Sequence, residues 1–397
     1  MKKITVIGDL MCEPPVFEQG KTATGFDYAP VFRNLKPLIA EADYAIGNLD
    51  TPLAGEEAVY TCRLVSFNAP DEYAQAVKDM GIDMVSTANN HAMDRGNPGM
   101  KRTLEALDRI GLAHTGTCYG KGTSAIGYFE LEGVKAAVVA YTYGTNYGLN
   151  GEIPDEENGY HVNYLKPCTY SKGLRRPEPP AYYEELKKLE EQLGRKAVWE
   201  EQITVRQKLG ISNAYWDDVV YPEDLEEGLA AVKADLEEAR KQADLVFFMP
   251  HAGGQFNETP GAFSNYVLYE AARMGFDGIF AAHSHTLQKA CYLKGVPCFY
   301  SMGNVTMDPV TDWAVPASKP EYAVAAHLYL EGKKLDKVTF SITKIIRENG
   351  EITVYPVDAL YAKLPEAEAK ALETETADIY LRVTGRSFPG IAREYAL

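Results

Sequence analysis

The chain has 397 residues, of which 46% are hydrophobic and 24% charged, so its composition is that of a globular protein and excludes collagen-like and low-complexity classes. The formal net charge of −16 repels phosphate backbones and anionic lipid surfaces, so we expect no nucleic-acid partner. No apolar run reaches the length of a membrane span or a signal peptide, which predicts a cytoplasmic protein with no membrane anchor in this chain.

Short apolar runs that end in polar residues alternate with helical patterns along most of the chain. In chain order the runs are ITVIGDL, YAIGNLD, DMVSTANNH, ADLVFFMPH and DGIFAAHSH. The first four each precede a segment with helical periodicity, such as PVFRNLKPLIAEA, and the fifth precedes a strand pair around KACYLKGVPCFYSMGN. Strands that alternate with helices predict βαβ units in an α/β fold whose sheet is at least partly parallel.

Two segments depart from this alternation. Residues 145–222 contain a Tyr- and Pro-rich stretch and a charged helical run, and we interpret them as an insertion over the face that carries the site. The charged run alone is also compatible with a solvated surface helix. From about residue 333 the pattern is strands followed by a helix, so we expect one domain over 1–332 and a small C-terminal β-α extension of it over 333–397.

The strongest functional signal is that five strand-like runs end in side chains that bind metals. Because ligands collect at the carboxyl ends of parallel strands, we expect these side chains to meet at one rim of the sheet. Carboxylate, amide and imidazole together suit Mn²⁺, Zn²⁺ or Fe²⁺, whereas the six cysteines lack C-x-x-C spacing and predict reduced thiols. The residues are Asp9, Asn48, Asp50, Asn89, Asn90, His91, His251, His283 and His285.

Each of these motifs has a simpler interpretation when it stands alone. An aspartate or asparagine after a strand is commonly a cap or turn residue, and the HSH pair is equally compatible with exposed histidines. Four of the seven histidines lie at strand ends, however, and this joint occurrence favours a metal site. In extended chain His283 and His285 point to opposite sides, so a bend would allow one imidazole to reach each of two ions.

Six short motifs carry a resemblance to a known family: GDLM, NLD, NNHAMDRG, HAGG, HSHTLQ and YSMGN. In this order and spacing they resemble the CapA poly-γ-glutamate capsule-synthesis (PGA_cap) family, which is related to the calcineurin-like metallophosphoesterases. The resemblance covers roughly residues 1 to 310. It implies a four-layer αββα sandwich of the metallophosphoesterase type, with a site that holds two divalent metal ions.

The resemblance also implies roles for individual residues. His91 would be the acid near the leaving group, and Asp94 would orient it and fix its tautomer. Asp50 stands where the family usually has Glu, so its shorter side chain shifts the bridge between the ions or passes that role to Asn48. The implied metal ligands are Asp9 and His285 for the first ion, Asn90, His251 and His283 for the second, and Asp50 as the candidate bridge.

Some positions depart from the pattern of the related enzymes, and two others are candidates for substrate binding. Met11 stands where ordinary metallophosphoesterases have a histidine ligand, and Ala252 and Gln255 replace the Trp and Glu of the family's HWGxE element. Arg63 is a candidate for bidentate binding of an anionic substrate group, and Asn304 for a further substrate contact. A surface salt bridge and a strand-to-loop turn are the simpler interpretations of these last two residues.

Two functions are compatible with the sequence. The first is a metal-dependent hydrolase that acts on a phosphoester or a γ-glutamyl-type amide, in a small molecule or an anionic polymer. The second is a non-catalytic, metal-binding assembly or binding protein for anionic polymer synthesis. The departures at Met11 and Gln255 favour the second, whereas the NNH motif with Asp94 and the strand-end histidines favour the first.

Overall fold

The structure is a computed structural model that describes residues 1–61, 66–119, 123–166, 180–209, 215–311 and 314–397. Its strands, in chain order, are β1 (Lys2–Leu10), β2 (Lys21–Thr22), β3 (Gly25–Phe26), β4 (Tyr44–Leu49), β5 (Met84–Ser86), β6 (Ala113–Thr115), β7 (Thr117–Cys118), β8 (Gly127–Leu131), β9 (Val134–Thr142), β10 (His161–Val162), β11 (Leu245–His251), β12 (Gly278–Phe280), β13 (Ala290–Leu293), β14 (Val296–Phe299), β15 (Asn304–Thr306), β16 (Tyr322–Glu331), β17 (Lys334–Glu348), β18 (Glu351–Pro356) and β19 (Tyr395–Ala396).

The helices connect and cover these strands. They are α1 (Pro14–Gly20), α2 (Ala29–Phe32), α3 (Lys36–Ile39), α4 (Asp71–Met80), α5 (Gly96–Ile110), α6 (Tyr147–Asn150), α7 (Pro180–Leu193), α8 (Trp199–Lys208), α9 (Glu226–Arg240), α10 (Ala262–Met274), α11 (Val357–Tyr361) and α12 (Glu366–Thr384). None of the helices in the described ranges is long and apolar enough to cross a membrane.

The strands assemble into two large sheets. The first has the order β18-β17-β16-β1-β4-β5-β6, with β15 beside β1 and β19 beside β17, and the second has the order β13-β14-β12-β11-β9-β8. Neighbouring strands run parallel from β1 through β4 and β5 to β6 in the first sheet. They also run parallel from β9 through β11 and β12 to β14 in the second. Each sheet therefore collects several carboxyl ends at one edge, as predicted from the alternating pattern.

Three apolar layers hold the sheets and helices together. Residues such as Val6 and Phe247 form the core between the two sheets. The outer face of the first sheet packs on α1, α2, α4 and α5, and the outer face of the second packs on α9 and α10. This arrangement confirms the predicted four-layer αββα sandwich.

Strand β1 lies inside the first sheet, and its sequence shows why. Every residue from Lys3 onward is buried, including the polar Thr5 and Asp9, as expected for a strand covered on both sides. Gly8 lies where the chain around Gly303 approaches most closely, and a Cβ at Gly8 would be 2.1 Å from the Gly303 oxygen. The missing side chain lets the Asp9 amide donate to Gly303 O at 3.0 Å, which fixes Asp9 beside β15.

The segment PVFRNLKPLIAEA differs from its prediction as one helix. It forms two short helices, α2 and α3, separated by three residues. Pro37 lies in the first turn of α3, where its missing N–H costs nothing, whereas it would break the hydrogen bonds inside a continuous helix. The proline therefore sets the division.

The segment predicted as an insertion, 145–222, contains α6, β10, α7 and α8. Strand β10 pairs with β7, and Thr142 at the end of β9 exchanges backbone hydrogen bonds with Asn163 and Leu165. Helices α7 and α8 contact each other through the Tyr182 hydroxyl and Gln202 at 3.3 Å. Residues 167–179 and 210–214 of this segment lie outside the described ranges. Beyond residue 333, β17 and β18 widen the first sheet next to β16.

Candidate metal centre

Polar side chains from both sheets meet where the parallel strands end. Asp9 belongs to β1, Asp50 follows β4, and Asn90 follows β5, all in the first sheet. His251 ends β11, while His283 and His285 follow β12, all in the second sheet. All of these side chains are at most 3% exposed. The first sheet thus supplies the carboxylates and the amide, and the second supplies the imidazoles.

One group of donors consists of Asp9, Asp50 and His285. One ligand atom from each of the three lies within 4.8 Å of the other two, which is close enough for a shared ion. His285 Nδ1 is 3.4 Å from Asp9 Oδ2. Two carboxylates and an imidazole are a donor set that suits a divalent transition-metal ion.

A second group consists of Asn90, His251 and His283. His251 Nε2 is 2.8 Å from Asn90 Oδ1 and 3.1 Å from His283 Nδ1. Atoms that bind one ion at about 2.0–2.2 Å lie roughly 3 Å apart, so this spacing is that of a ligand set. His251 Nδ1 faces the Asn48 amide at 3.1 Å, which leaves Nε2 directed at the other two donors. Asp50 Oδ1 lies 3.6 Å from the same Nε2, so Asp50 adjoins both groups.

The environment of the Asp50 carboxylate shows whether these residues fit a metal ion. Neither of its carboxylate oxygens accepts a hydrogen bond from any residue in the described ranges, although the side chain is fully buried. Burial raises the pKa of this carboxyl well above its usual range, and the nearby charges of Asp9 and Asp94 raise it further. A buried carboxylate without a partner is costly, and a cation between the donor groups would satisfy it. The residues present therefore fit a divalent ion.

Two histidines of this site, His251 and His283, are held in the form that binds metals. Burial lowers the pKa of His251 and of His283 well below the usual value, and the neighbouring imidazoles lower both pKa values further. Both rings are therefore neutral at neutral pH, and a neutral imidazole is the form that coordinates an ion.

The backbone of the HSH segment has the bend that the sequence analysis required. His283 and His285 have φ angles of +94° and +54°, a region that residues with a side chain rarely adopt. Such residues cost about 1–3 kcal/mol each and persist only where the surroundings hold them. The His283 amide donates to Asp9 Oδ2 at 3.1 Å, which is one such restraint. As a result, His283 reaches His251 while His285 reaches Asp9.

His91 and Asp94 form a hydrogen-bonded pair beside the donor groups. His91 Nδ1 is 2.6 Å from Asp94 Oδ2, and the Asn146 amide donates to the other carboxylate oxygen at 2.9 Å. The Phe67 ring stacks on the imidazole with centroids 4.2 Å apart, and the Phe67 amide donates to Asp94 at 2.7 Å. Because Asp94 accepts from Nδ1, the Nε2 atom of His91 is left to hold or release a proton.

Asn304 lies beside His285 rather than in open space. Its Oδ1 is 2.9 Å from His285 Nδ1, and its amide donates to the His285 carbonyl at 2.9 Å. These contacts support a role in orienting His285, and contact with a substrate stays a prediction. The Met11 side chain lies in the apolar core between the first sheet and its helices, so it adds no ligand to the site. Arg63 lies outside the described residues.

Asn146 is a site residue that the sequence analysis missed. Besides supporting Asp94, its side-chain oxygen accepts from the Asn90 amide at 3.1 Å, and its backbone amide donates to Asn90 O at 2.8 Å. It follows β9 by four positions, so the rule applied to the other strand ends would have found it in YTYGTN. Asn146 is where the segment 145–222 enters the site.

The fold and the site together define an α/β protein of the αββα sandwich class, with carboxylates, amides and imidazoles buried at one edge of its sheets. The model of the bacterial capsule synthesis protein PGA_cap family matches residues 3–309. The chain belongs to this family, which confirms the resemblance seen in its motifs.

Two curated relatives show how far the likeness extends. The capsule biosynthesis protein CapA of Bacillus anthracis is 24% identical over 309 residues, which cover 77% of this chain and 59% of that protein. The PGA biosynthesis protein CapA of Bacillus subtilis (strain 168) is 22% identical over 305 residues, which cover 76% of this chain and 62% of that protein. The matched region thus spans about three fifths of these relatives.

Solved structures show a more distant likeness. A putative 5'-nucleotidase from Staphylococcus aureus in complex with alpha-ketoglutarate has a TM-score of 0.42 at 12% identity, covering 95% of this chain and 58% of that one. A hypothetical protein from Thermus thermophilus has a TM-score of 0.41 at 14% identity, covering 86% of this chain and 98% of that one. The family match is therefore the finding that identifies the chain.

Proposed function

We propose that this chain is a metal-dependent hydrolase linked to poly-γ-glutamate capsule metabolism, acting on a phosphoester or a γ-glutamyl-type amide. The observation that carries the proposal is the buried carboxylate of Asp50, which has no hydrogen-bond donor in the described ranges and adjoins two groups of metal-competent side chains. Family membership supports the link to capsule synthesis.

In this proposal Asp9, Asp50 and His285 would hold the first ion. Asn90, His251 and His283 would hold the second, and Asp50 adjoins both groups. Divalent ions such as Mn²⁺, Zn²⁺ or Fe²⁺ would supply Lewis-acid polarisation of a phosphoryl or acyl oxygen at this site.

The protein's own contribution to the reaction is proton transfer and positioning. His91 would donate a proton from Nε2 to the leaving group, while Asp94 holds its Nδ1–H and stabilises the charged ring. Phe67 and Asn146 fix the pair in place from two sides. Arg63 remains the proposed contact for an anionic group of the substrate, and Asn304 a further one.

A second function, that of a non-catalytic metal-binding assembly protein for anionic polymer, is favoured by two observations. Met11, which replaces a metal-binding histidine of related enzymes, is buried in the core and adds no ligand. The proposed donor side chains are also at most 3% exposed, which leaves little of their surface for a bulky polymer to contact.

Metal binding and turnover can be measured on the same purified protein. After chelation, adding Mn²⁺ at about 100 times its Kd should stabilise the fold by about 2.7 kcal/mol for each ion bound, seen as a rise in Tm. The loaded protein should then hydrolyse at least one member of a panel of phosphomonoesters, phosphodiesters and γ-glutamyl peptides, and chelation should abolish that activity. Absence of any metal-induced rise in Tm would contradict both functions. Metal binding without turnover, together with binding of poly-γ-glutamate, would favour the assembly protein.

A further inference from the structure

Arg382, on the C-terminal helix α12, contacts three other segments of the chain, one of which directly follows His285. Its Nη1 donates to Thr286 Oγ1 at 3.1 Å and to the Ser318 carbonyl at 2.5 Å. Its Nη2 lies 3.2 Å from Glu258 Oε2. The family model ends at residue 309, so Arg382 belongs to a part of the chain that the family match does not cover.

The contact with Thr286 reaches the site because this residue directly follows His285. The Thr286 side chain is fully buried, and its hydroxyl donates to the Ser318 carbonyl at 2.5 Å. Arg382 therefore donates both to the Thr286 hydroxyl and to the Ser318 carbonyl that accepts from it. On the other side, Asn304 donates to the His285 carbonyl at 2.9 Å and to Pro320 O at 3.1 Å. The backbone around His285 is thus held from two directions.

Helix α12 is itself fixed to the first sheet, which holds Arg382 in a defined position. Glu375, two turns before Arg382, accepts a hydrogen bond from the Tyr322 hydroxyl at 2.7 Å and from Lys344 Nζ at 2.5 Å. The Arg382 side chain is only 17% exposed, and a buried guanidinium is tolerated when its N–H groups find acceptors.

We propose that Arg382 is a positioning residue that holds His285, through Thr286, in the place where it shares an ion with Asp9 and Asp50. The left-handed backbone of His285, with φ +54°, needs such external restraint because it is unfavourable for a residue with a side chain. This inference rests on the metal site described under Proposed function. It assigns to the C-terminal helix a selective effect on one of the two ions.

The test is a Mn²⁺ titration of chelated wild type and Arg382→Met, with stoichiometry and affinity read by calorimetry and by electron paramagnetic resonance. Wild type should bind two ions. In Arg382→Met the affinity for one ion should fall about 10–100-fold, as is typical when a residue that orients a ligand is removed, while the other ion is unaffected. Arg382→Lys keeps the charge near Glu258 but cannot reproduce the fork geometry, so it should recover only part of the affinity.

Two further variants separate positioning from general destabilisation. Val383→Ala removes a buried side chain from the same helix and keeps the Arg382 guanidinium, so it should lower Tm but leave both Mn²⁺ affinities unchanged. Arg386→Met removes an exposed arginine just beyond the end of the helix and should change neither quantity.

The outcomes distinguish the two proposals. If wild type binds two ions and Arg382→Met binds both as tightly, the positioning role is wrong and the metal site stands. Equal loss of both ions in Arg382→Met and Val383→Ala would also overturn it, because the effect would then be loss of stability alone. If wild type binds no Mn²⁺, the metal site and the positioning role both fail.

Discussion

Replacing His91 with Asn should slow hydrolysis about 10²–10⁴-fold and leave the metal content near that of wild type, because the proposal assigns His91 to proton transfer. His283→Asn should also be slow, but metal-poor, because the proposal assigns His283 to coordination. Metal analysis of the purified variants and their rates on the best substrate of the panel check both expectations.

The control for this comparison is His161→Asn. His161 is a surface histidine whose side chain is 43% exposed, 3.4 Å from Glu156, and the variant should match wild type in rate and metal content. Loss of metal from His91→Asn would show that its role is misassigned. If the wild type binds metal without turning over any substrate, and His91→Asn binds poly-γ-glutamate as wild type does, the assembly role replaces the hydrolase.

Replacing Asp50 with Asn should stabilise the metal-free protein and abolish tight metal binding. The ionised carboxylate is buried without a hydrogen-bond donor in the described ranges, a defect that costs at least about 1–3 kcal/mol. Because the pKa of Asp50 is raised in the folded state, the wild type binds more protons folded than unfolded above about pH 4. The stability contributed by this group is therefore lost as the pH rises through the pKa of Asp50 in the folded state. The variant cannot ionise at this position, so its stability does not fall in this way.

Chemical denaturation of both metal-free proteins across pH measures this difference. The free energy of unfolding of the variant should increasingly exceed that of wild type as the pH rises from about 4. Below that pH the two free energies should converge. The lowered pKa values of His251 and His283 add the opposite slope below about pH 6.5, so the effect of Asp50 is read from the difference between the two proteins above that pH. With excess Mn²⁺, wild type should be more stable than the variant. If the metal-free variant is less stable than wild type at pH 8, Asp50 has a partner. The matched control is Asp336→Asn, which changes an exposed aspartate.

Much of the site could be predicted from the sequence because it depends on strand direction. A run of apolar residues identifies a buried strand, and parallel strands bring the residue after each run to one edge. Asp9, Asp50 and His251 could therefore be placed together although they lie on three strands. The same rule applied after β9 would have included Asn146.

The remaining features depend on contacts that no local pattern reports. Arg382 meets Thr286 across 96 positions, and nothing in the helical pattern of α12 marks that arginine among the others. The position of Met11 depends on the backbone contacts of this residue with Thr306 and Tyr73, which are distant in sequence. The division of the helix at Pro37, in contrast, is predictable from a proline in the middle of the segment.

The distribution of donors between the two sheets has a mechanical consequence. Asp9 and His283, from different sheets, are in contact across 274 positions of the chain. Ions held as we propose would act as a non-covalent cross-link between the halves of the sandwich, and their binding free energy would add to the stability of the folded state. Removing them should allow that edge of the sandwich to open first, so amide hydrogen exchange should accelerate at the carboxyl ends of β4 and β11 while the far edge stays protected.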